Sequence, residues 1–249
     1  MAGHSKWASI KHKKAIVDSK RGQQFTKLAR AITVAAREGG GDPDANAALG
    51  NAIQKAKDAS MPKDNIERAV AKGTGEGADQ AAIETIMYEG YAPGGVALLI
   101  EAMTDNRNRT GSEVRHTLSK HGGSLGEPGS VAYLFDKKGV VVVGATDYSE
   151  DDLMVAIDAG AEDIVAEDDI FEVITEPSDL SAVRKALEDS EIKVEASEIV
   201  QRPKTRVELD EAAARKVLKL VDILEENDDV DSVHANFDIS AEIFEKLAE

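Results

Sequence analysis

The sequence contains no cysteine, which excludes disulfides, thiolate nucleophiles and every zinc site that needs sulfur. No apolar run approaches the roughly eighteen residues of a membrane span. The opening MAGHSKWASIKHKK has no hydrophobic stretch of the secretory kind. Both features point to a soluble, cytosolic chain with no membrane partner. Nucleotide and hydrolase signatures are missing as well: there is no G-x-x-x-x-G-K-[ST] loop and no G-x-S-x-G elbow. The stretch Gly73-Thr-Gly-Glu-Gly-Ala78 mimics a dinucleotide fingerprint, but it follows a helical pattern where that fingerprint needs a strand. His4, His12, His116, His121 and His234 never take the spacing of H-E-x-x-H. The acidic runs Glu167-Asp168-Asp169 and Glu225-Glu226 read as solvated faces rather than convergent metal ligands. The expectation is therefore no catalytic residue, no metal site, no cofactor and no small-molecule substrate.

What is present is a globular composition, 249 residues with 42% hydrophobic and 31% charged, long enough for two or three units. The formal net charge is −17, which on average argues against a polyanionic partner. The distribution says otherwise. Residues 1–72 carry fourteen Lys and Arg against seven Asp and Glu, whereas residues 136–249 carry twelve against thirty-two. A basic opening on an acidic body is a recognised sign of an arm that meets nucleic acid.

Hydrophobic periodicity divides the chain further. Phe25, Leu28, Ala29, Ile32, Ala35 and Ala36 recur at three- and four-residue spacing, which predicts a helix from Asp18 to Glu38 that is stopped by Gly39 to Gly41. Lys20, Lys27, Arg30 and Arg37 fall on its opposite side, so one face is expected to pack and the other to be basic. Two more helices follow, one after Asp42-Pro43-Asp44 and one from Pro62 to just before Gly73. After a polar linker at 73–80, residues 84–91 and 95–102 predict two strands around Ala92-Pro93-Gly94. Thr110 to Glu113 reads as a capping box opening a helix that Gly122 closes, and 130–135 reads as a strand. Residues 139–200 give strand, helix (149–159), strand, strand, helix (178–189), strand, the βαββαβ order of a ferredoxin-like unit. A final helix, strand and short helix are too little to fold alone and are expected to rejoin the 84–135 strands.

The expected fold is thus α+β: an N-terminal three-helix domain followed by two mixed α/β domains, one ferredoxin-like and inserted in the other. The expected boundaries are 1–75 for the basic helical domain, 76–136 plus 205–249 for the discontinuous domain, and 137–204 for the acidic insert. With no coiled-coil heptad in view, a monomer is expected.

Two groups of residues are candidates for nucleic-acid contact. The first is Lys6, Lys11, His12, Lys13, Lys14, Lys20, Arg21, Lys27 and Arg30, cations able to neutralise phosphates around Trp7, itself read as an anchor of the arm rather than a stacking residue. The second is Arg107, Asn108 and Arg109 within Asp105-Asn-Arg-Asn-Arg109. This second group has two readings, a phosphate or RNA-backbone site before the positive end of a helix, or arginines paired with neighbouring carboxylates.

The stretches MAGHSKWASIKHKKAIVDSKRGQQFTKLARAI, MPKDNIERAV, MYEGYAPGGVALLIEAMTDNRNRT and SKHGGSLGEPGSVAYLF, the last preceded by Arg115-His116, closely resemble the YebC family. The likeness is strongest over residues 1–136. It implies three domains, a cytoplasmic role in gene expression and no known catalytic activity. Bacterial members of that family are described as transcriptional regulators that bind DNA, its mitochondrial relatives are translational activators, and bacterial members have been linked to ribosomes stalled on proline runs. Two positions depart from the family pattern. Ala92 stands where Gly is usual in the turn, and Gly111 where a larger residue is usual in the following helix. Two functions stay open, a translation factor bound to the ribosome or its RNA, and a DNA-binding regulator of transcription. The basic helix face offers Lys and Arg with little amide character, which favours phosphate contact over base reading.

Overall fold

The computed structural model describes residues 18–75, 83–167 and 169–248. They form two compact units, one made of residues 136–202 and the other of the described residues before and after that segment. The architecture is α+β, with a helical N-terminal region followed by sheet domains.

In the first unit, helices α1 (Asp18–Gly39), α2 (Ala47–Asp58) and α3 (Lys63–Gly73) bury the small and aliphatic stripe that the periodicity demands, including Leu28, Ile32, Ala36, Leu49, Ala56, Ile66 and Ala69. Asn46 joins α1 to α2. Its Oδ1 accepts from Leu49 N at 3.1 Å, and its Nδ2 donates to Ala35 O and Gly40 O at 2.8 Å each, so one buried amide satisfies groups at two helix ends. Helix α3 runs one residue beyond its expected end and includes Gly73. A Cβ at Gly73 would collide with Thr33 O and Ala36 Cβ of α1, so glycine marks a close helix crossing here rather than a stop.

Strands β1 (Glu84–Ala92) and β2 (Val96–Thr104) pair antiparallel from Glu84 with Thr104 to Ala92 with Val96. Ala92 is extended (φ −93°), and the positive φ values lie at Gly94 (84°) and Gly95 (77°). Ala92 in place of the usual glycine is therefore without strain. Helix α4 (Arg107–Lys120) leads to β3 (Ser124–Leu125). After the second unit come β8 (Val207–Glu208), α7 (Glu211–Glu225), β9 (Val230–Ala235), β10 (Phe237–Asp238) and α8 (Ala241–Ala248). Strand β9 pairs antiparallel with β2, giving a sheet of order β3-β1-β2-β9, and β8 pairs parallel with β10. Leu98, Ile100, Val114, Leu118, Val217, Leu220, Val221, Leu224 and Val233 form the core between this sheet, α4 and α7.

Two expected elements are placed differently. Residues 130–135 are not a strand: Ala132–Leu134 make a 3₁₀ turn, and the next strand, β4 (Phe135–Gly144), begins only at Phe135. The N–H groups of Val131 and Ala132 donate to the Glu89 carboxylate and so cannot join a ladder. Helix α4 begins at Arg107 rather than at Thr110. Its cap is Asn106, whose side chain accepts from Arg109 N at 3.1 Å, while the Thr110 hydroxyl turns to the buried Asp229. The DNRNR segment is thus half cap and half first helical turn.

The second unit follows β4 (Phe135–Gly144), α5 (Met154–Asp158), β5 (Ala161–Glu167), β6 (Ile170–Thr175), α6 (Leu180–Asp189) and β7 (Val194–Pro203). Its sheet order β5-β6-β4-β7 with antiparallel β4–β6 and β5–β6 pairs is ferredoxin-like, with Val141, Val143, Phe171 and Val173 packed under Leu153, Leu180, Val183 and Leu187. Helix α5 is shorter than its hydrophobic pattern. The Ser149 N–H and hydroxyl both bind Asp152 Oδ2, which holds a turn, and a 3₁₀ segment occupies Asp151–Leu153.

Candidate nucleic-acid interface

Of the cations singled out in the sequence, Lys6, Lys11, His12, Lys13 and Lys14 lie outside the described residues, as do the side chains of Lys20 and Arg21. On the α1 face Lys27 and Arg30 are engaged within their own unit, whereas Arg37 is exposed and its side chain makes no hydrogen bond or ion pair to a described residue. Lys27 Nζ donates to Glu225 O at 2.6 Å, at the C-terminal end of α7 where carbonyls lack intrahelical partners and the helix dipole favours a cation. Burial lowers the Lys27 pKa, against the opposing pull of Asp231 and Asp228. Arg30 donates to Met103 O (2.8 Å), Asp228 O (2.9 Å) and Asp229 Oδ1 (3.0 Å). The face expected to be a free basic surface is, at these two positions, a docking face. Lys27 supplies a donor to one helix-end carbonyl, and Arg30 to a cluster of two carbonyls and a carboxylate oxygen.

Asp229 is the centre of this arrangement. Its side chain is 7% exposed. Besides Arg30 it accepts from Arg109 (2.6 Å), Thr110 Oγ1 (2.7 Å) and Thr104 Oγ1 (3.1 Å). Burial works to raise its pKa, but the hydrogen bonds from Arg109, Thr110 and Thr104 prevail and hold the carboxyl below its ordinary value. Arg109 also reaches Asp105 at 3.0 Å. Of the two readings of DNRNR, carboxylate pairing describes Arg109. Arg107 and Asn108 are exposed, and among the described residues their side chains make no hydrogen bond or ion pair. Arg107 stands at the first position of α4, the positive end of the helix dipole, with no acid in the first turn. What the chain brings together is therefore an Arg30–Asp229–Arg109 clasp around a buried carboxylate, and an outward Arg107 and Asn108.

Sequence reasoning missed Asp229, Thr104 and Glu89. Asp229 sits within Glu225-Glu-Asn-Asp-Asp-Val-Asp231, where nothing local distinguishes one acid from its neighbours. Glu89 alternates with apolar residues in β1 and would be read as solvent-facing, yet it is 7% exposed. Its oxygens accept from Gly129 N and Val131 N at 2.6 Å and from Ala132 N at 2.8 Å. Burial pushes the Glu89 carboxyl up, and the three N–H donors outweigh it and bring it below the ordinary value. Among the described residues, no three His, Asp or Glu side chains converge to hold a metal, and no helix is long and apolar enough to cross a membrane.

Residues 5–76 match the model of the TACO1/YebC protein N-terminal domain, and residues 83–237 match that of the TACO1/YebC second and third domain. Among curated sequences, the chain is 57% identical over 249 residues to a protein of Rubrobacter xylanophilus, with 100% of each chain covered. It is likewise 57% identical to one of Thermobifida fusca, again with 100% of each covered. Both are named "Probable transcriptional regulatory protein". Among solved structures, a conserved hypothetical protein of Aquifex aeolicus matches with a TM-score of 0.84 at 49% identity, covering 94% of this chain and 97% of that one.

Proposed function

The chain belongs to the TACO1/YebC family, and from that membership we propose that it is a non-enzymatic, nucleic-acid-binding regulator of gene expression that works on RNA. In this reading it is a ribosome-associated translation factor that helps elongation through difficult sequences. The observation that carries the proposal is the segregation of charge: positions 1–17 hold four lysines and no acid in a chain of net charge −17. A cationic arm on an anionic body binds phosphates at its tip and repels them elsewhere, which restricts how the protein can sit on a polyanion. We assign the contacting groups to Lys6, Lys11, His12, Lys13, Lys14, Lys20 and Arg21, joined by Arg107 and Asn108. Lys27, Arg30 and Arg109 are assigned to positioning. The proposal includes a monomer acting in the cytoplasm without cofactor. It also treats the helical segment 1–75, the discontinuous 76–136 with 205–249, and the inserted 137–204 as three domains.

A second reading, a DNA-binding regulator of transcription, is favoured by the names that the relatives carry. Lysine-rich contact with little amide character weighs against it, since duplex readers place Arg, Asn or Gln at base edges in the major groove. The two readings separate in one experiment, co-sedimentation of the purified protein with ribosomes at physiological salt in the presence of excess unrelated duplex DNA. Retention on ribosomes is the expected result. Transfer of the protein to the duplex would make the transcriptional reading primary.

A further inference from the structure

We propose that the outward face of α4 is a second contact surface for an RNA backbone, formed by Asn108, Ser112, Arg115, His116, Ser119 and Lys120. This inference rests on the proposal that the chain binds RNA, and it places a site on that reading which the basic arm does not include. Helix α4 buries Thr110, Val114 and Leu118. At 100° per residue those six positions lie on the opposite side together with Arg109, and all six are exposed.

Apart from Arg109, which pairs with Asp105 and Asp229, the charge on this face is unmatched. Elsewhere some outward cations pair with an acid one turn away, as in Lys63–Glu67, Arg184–Glu188, Arg215–Glu211 and Lys246–Glu242. On α4, Arg115 has Gly111 and Ser119 at the positions four residues away, and Lys120 has His116 and Ser124. Arg115, His116 and Lys120 make no side-chain hydrogen bond or ion pair to another described residue. The one acid of the helix, Glu113, lies at the flank and accepts from Asn227 Nδ2 at 2.8 Å. In a chain with 47 acids and 30 bases, a helix face with two unpaired cations and no acid departs from the average and is complementary to a polyanion.

The chemistry of the face favours RNA. From Asn108 to Lys120 the helix rises about 18 Å, enough to follow several consecutive phosphates. Arg115 and Lys120 supply charge, and Asn108, Ser112 and Ser119 supply short polar groups of the kind that meet ribose hydroxyls. The Ser112 hydroxyl already donates to Asn108 O at 2.8 Å, which leaves its oxygen to accept.

The test uses the full chain and its R115Q/K120Q variant, titrated with a short mixed-sequence single-stranded RNA across a range of salt concentrations, with duplex DNA of the same sequence as the second probe. Each lost single-strand phosphate contact lowers the log–log salt slope by about 0.7, so the variant is expected to bind RNA more weakly with a slope shallower by about 1.4. Its melting temperature is expected to stay unchanged. A K11Q/K13Q/K14Q variant, with α4 intact, runs alongside. If R115Q/K120Q binds RNA like the parent while the arm variant does not, the α4 surface is overturned and the proposed function stands. If R115Q/K120Q weakens duplex binding alone, the assignment to RNA is overturned. If the parent chain binds no RNA at all, the proposed function fails and the α4 site falls with it.

Discussion

A carboxylate that gathers four donors, as Asp229 does from Arg30, Arg109, Thr104 and Thr110, takes their shared acceptor away when it is removed, although Arg30 keeps Met103 O and Asp228 O and Arg109 keeps Asp105. Asp229→Ala is expected to destabilise the chain by about 2–3 kcal/mol, towards the lower end for a broken buried pair because Arg109 keeps access to water. Urea unfolding measures this, and a loss within experimental error of zero would dismiss the clasp as a stabilising feature. Glu89 makes a prediction with a pH signature. Its folded pKa lies below the ordinary 4.5, so its contribution is present in full well above that pH and is lost as pH falls through the depressed folded value. Glu89→Gln puts an NH₂ group where a carboxylate oxygen faces backbone N–H donors. Its cost is expected to be about 2 kcal/mol near pH 7 and to shrink at a pH below the depressed folded value. A penalty equal at both pH values would mean that the charge on Glu89 contributes nothing to holding the 126–132 loop.

At the scale of elements, α4 shows how a helix can depart from its local signal. Thr110-Gly-Ser-Glu113 has the form of a capping box, but Asn106 is the better cap because Thr110 is drawn to Asp229, more than a hundred residues away. Gly111 consequently lies inside a helix, where glycine is less favourable than alanine by up to ~1 kcal/mol. A Cβ there would meet the Tyr88 ring at 3.5–3.9 Å, ordinary van der Waals distance. Gly111→Ala is thus expected to stabilise the chain by roughly 0.5–1 kcal/mol, a gain readable as a higher urea midpoint. A lower midpoint would show that the Tyr88 side chain cannot accommodate the methyl group. The same long-range pull explains what the sequence hides elsewhere. Three helices, the β1–β2 hairpin and the βαββαβ order are written in local periodicity and turn glycines, and the chain folds accordingly. The 130–135 segment carries strand-like residues, yet Glu89 captures its N–H groups from across the sheet. Wheel geometry identified the basic side of α1 without identifying its neighbour. That neighbour is the 225–229 turn, reached only through tertiary packing.

For the molecule as a whole, the separation of charge gives two classes of cation with opposite expected behaviour. Lys11, Lys13 and Lys14 lie in an acid-free opening, whereas Lys27 and Arg30 serve acceptors within the fold. If six to eight phosphates are neutralised on a duplex, affinity falls with salt at a log–log slope of about −5 to −7. Reversing charge at Lys11, Lys13 and Lys14 is expected to abolish binding at physiological salt while thermal melting stays where it was. Replacing Lys27 and Arg30 by glutamine is expected to do the reverse, lowering the melting temperature while the salt slope of the remaining folded protein is preserved. Melting curves and salt titrations of the two variants, read together, decide the assignment. A preserved slope in the arm variant would remove the arm from the interface. A slope that flattens on K27Q/R30Q without loss of melting temperature would return those two cations to the nucleic acid, because an acceptor-filling role must appear in stability before it appears in binding.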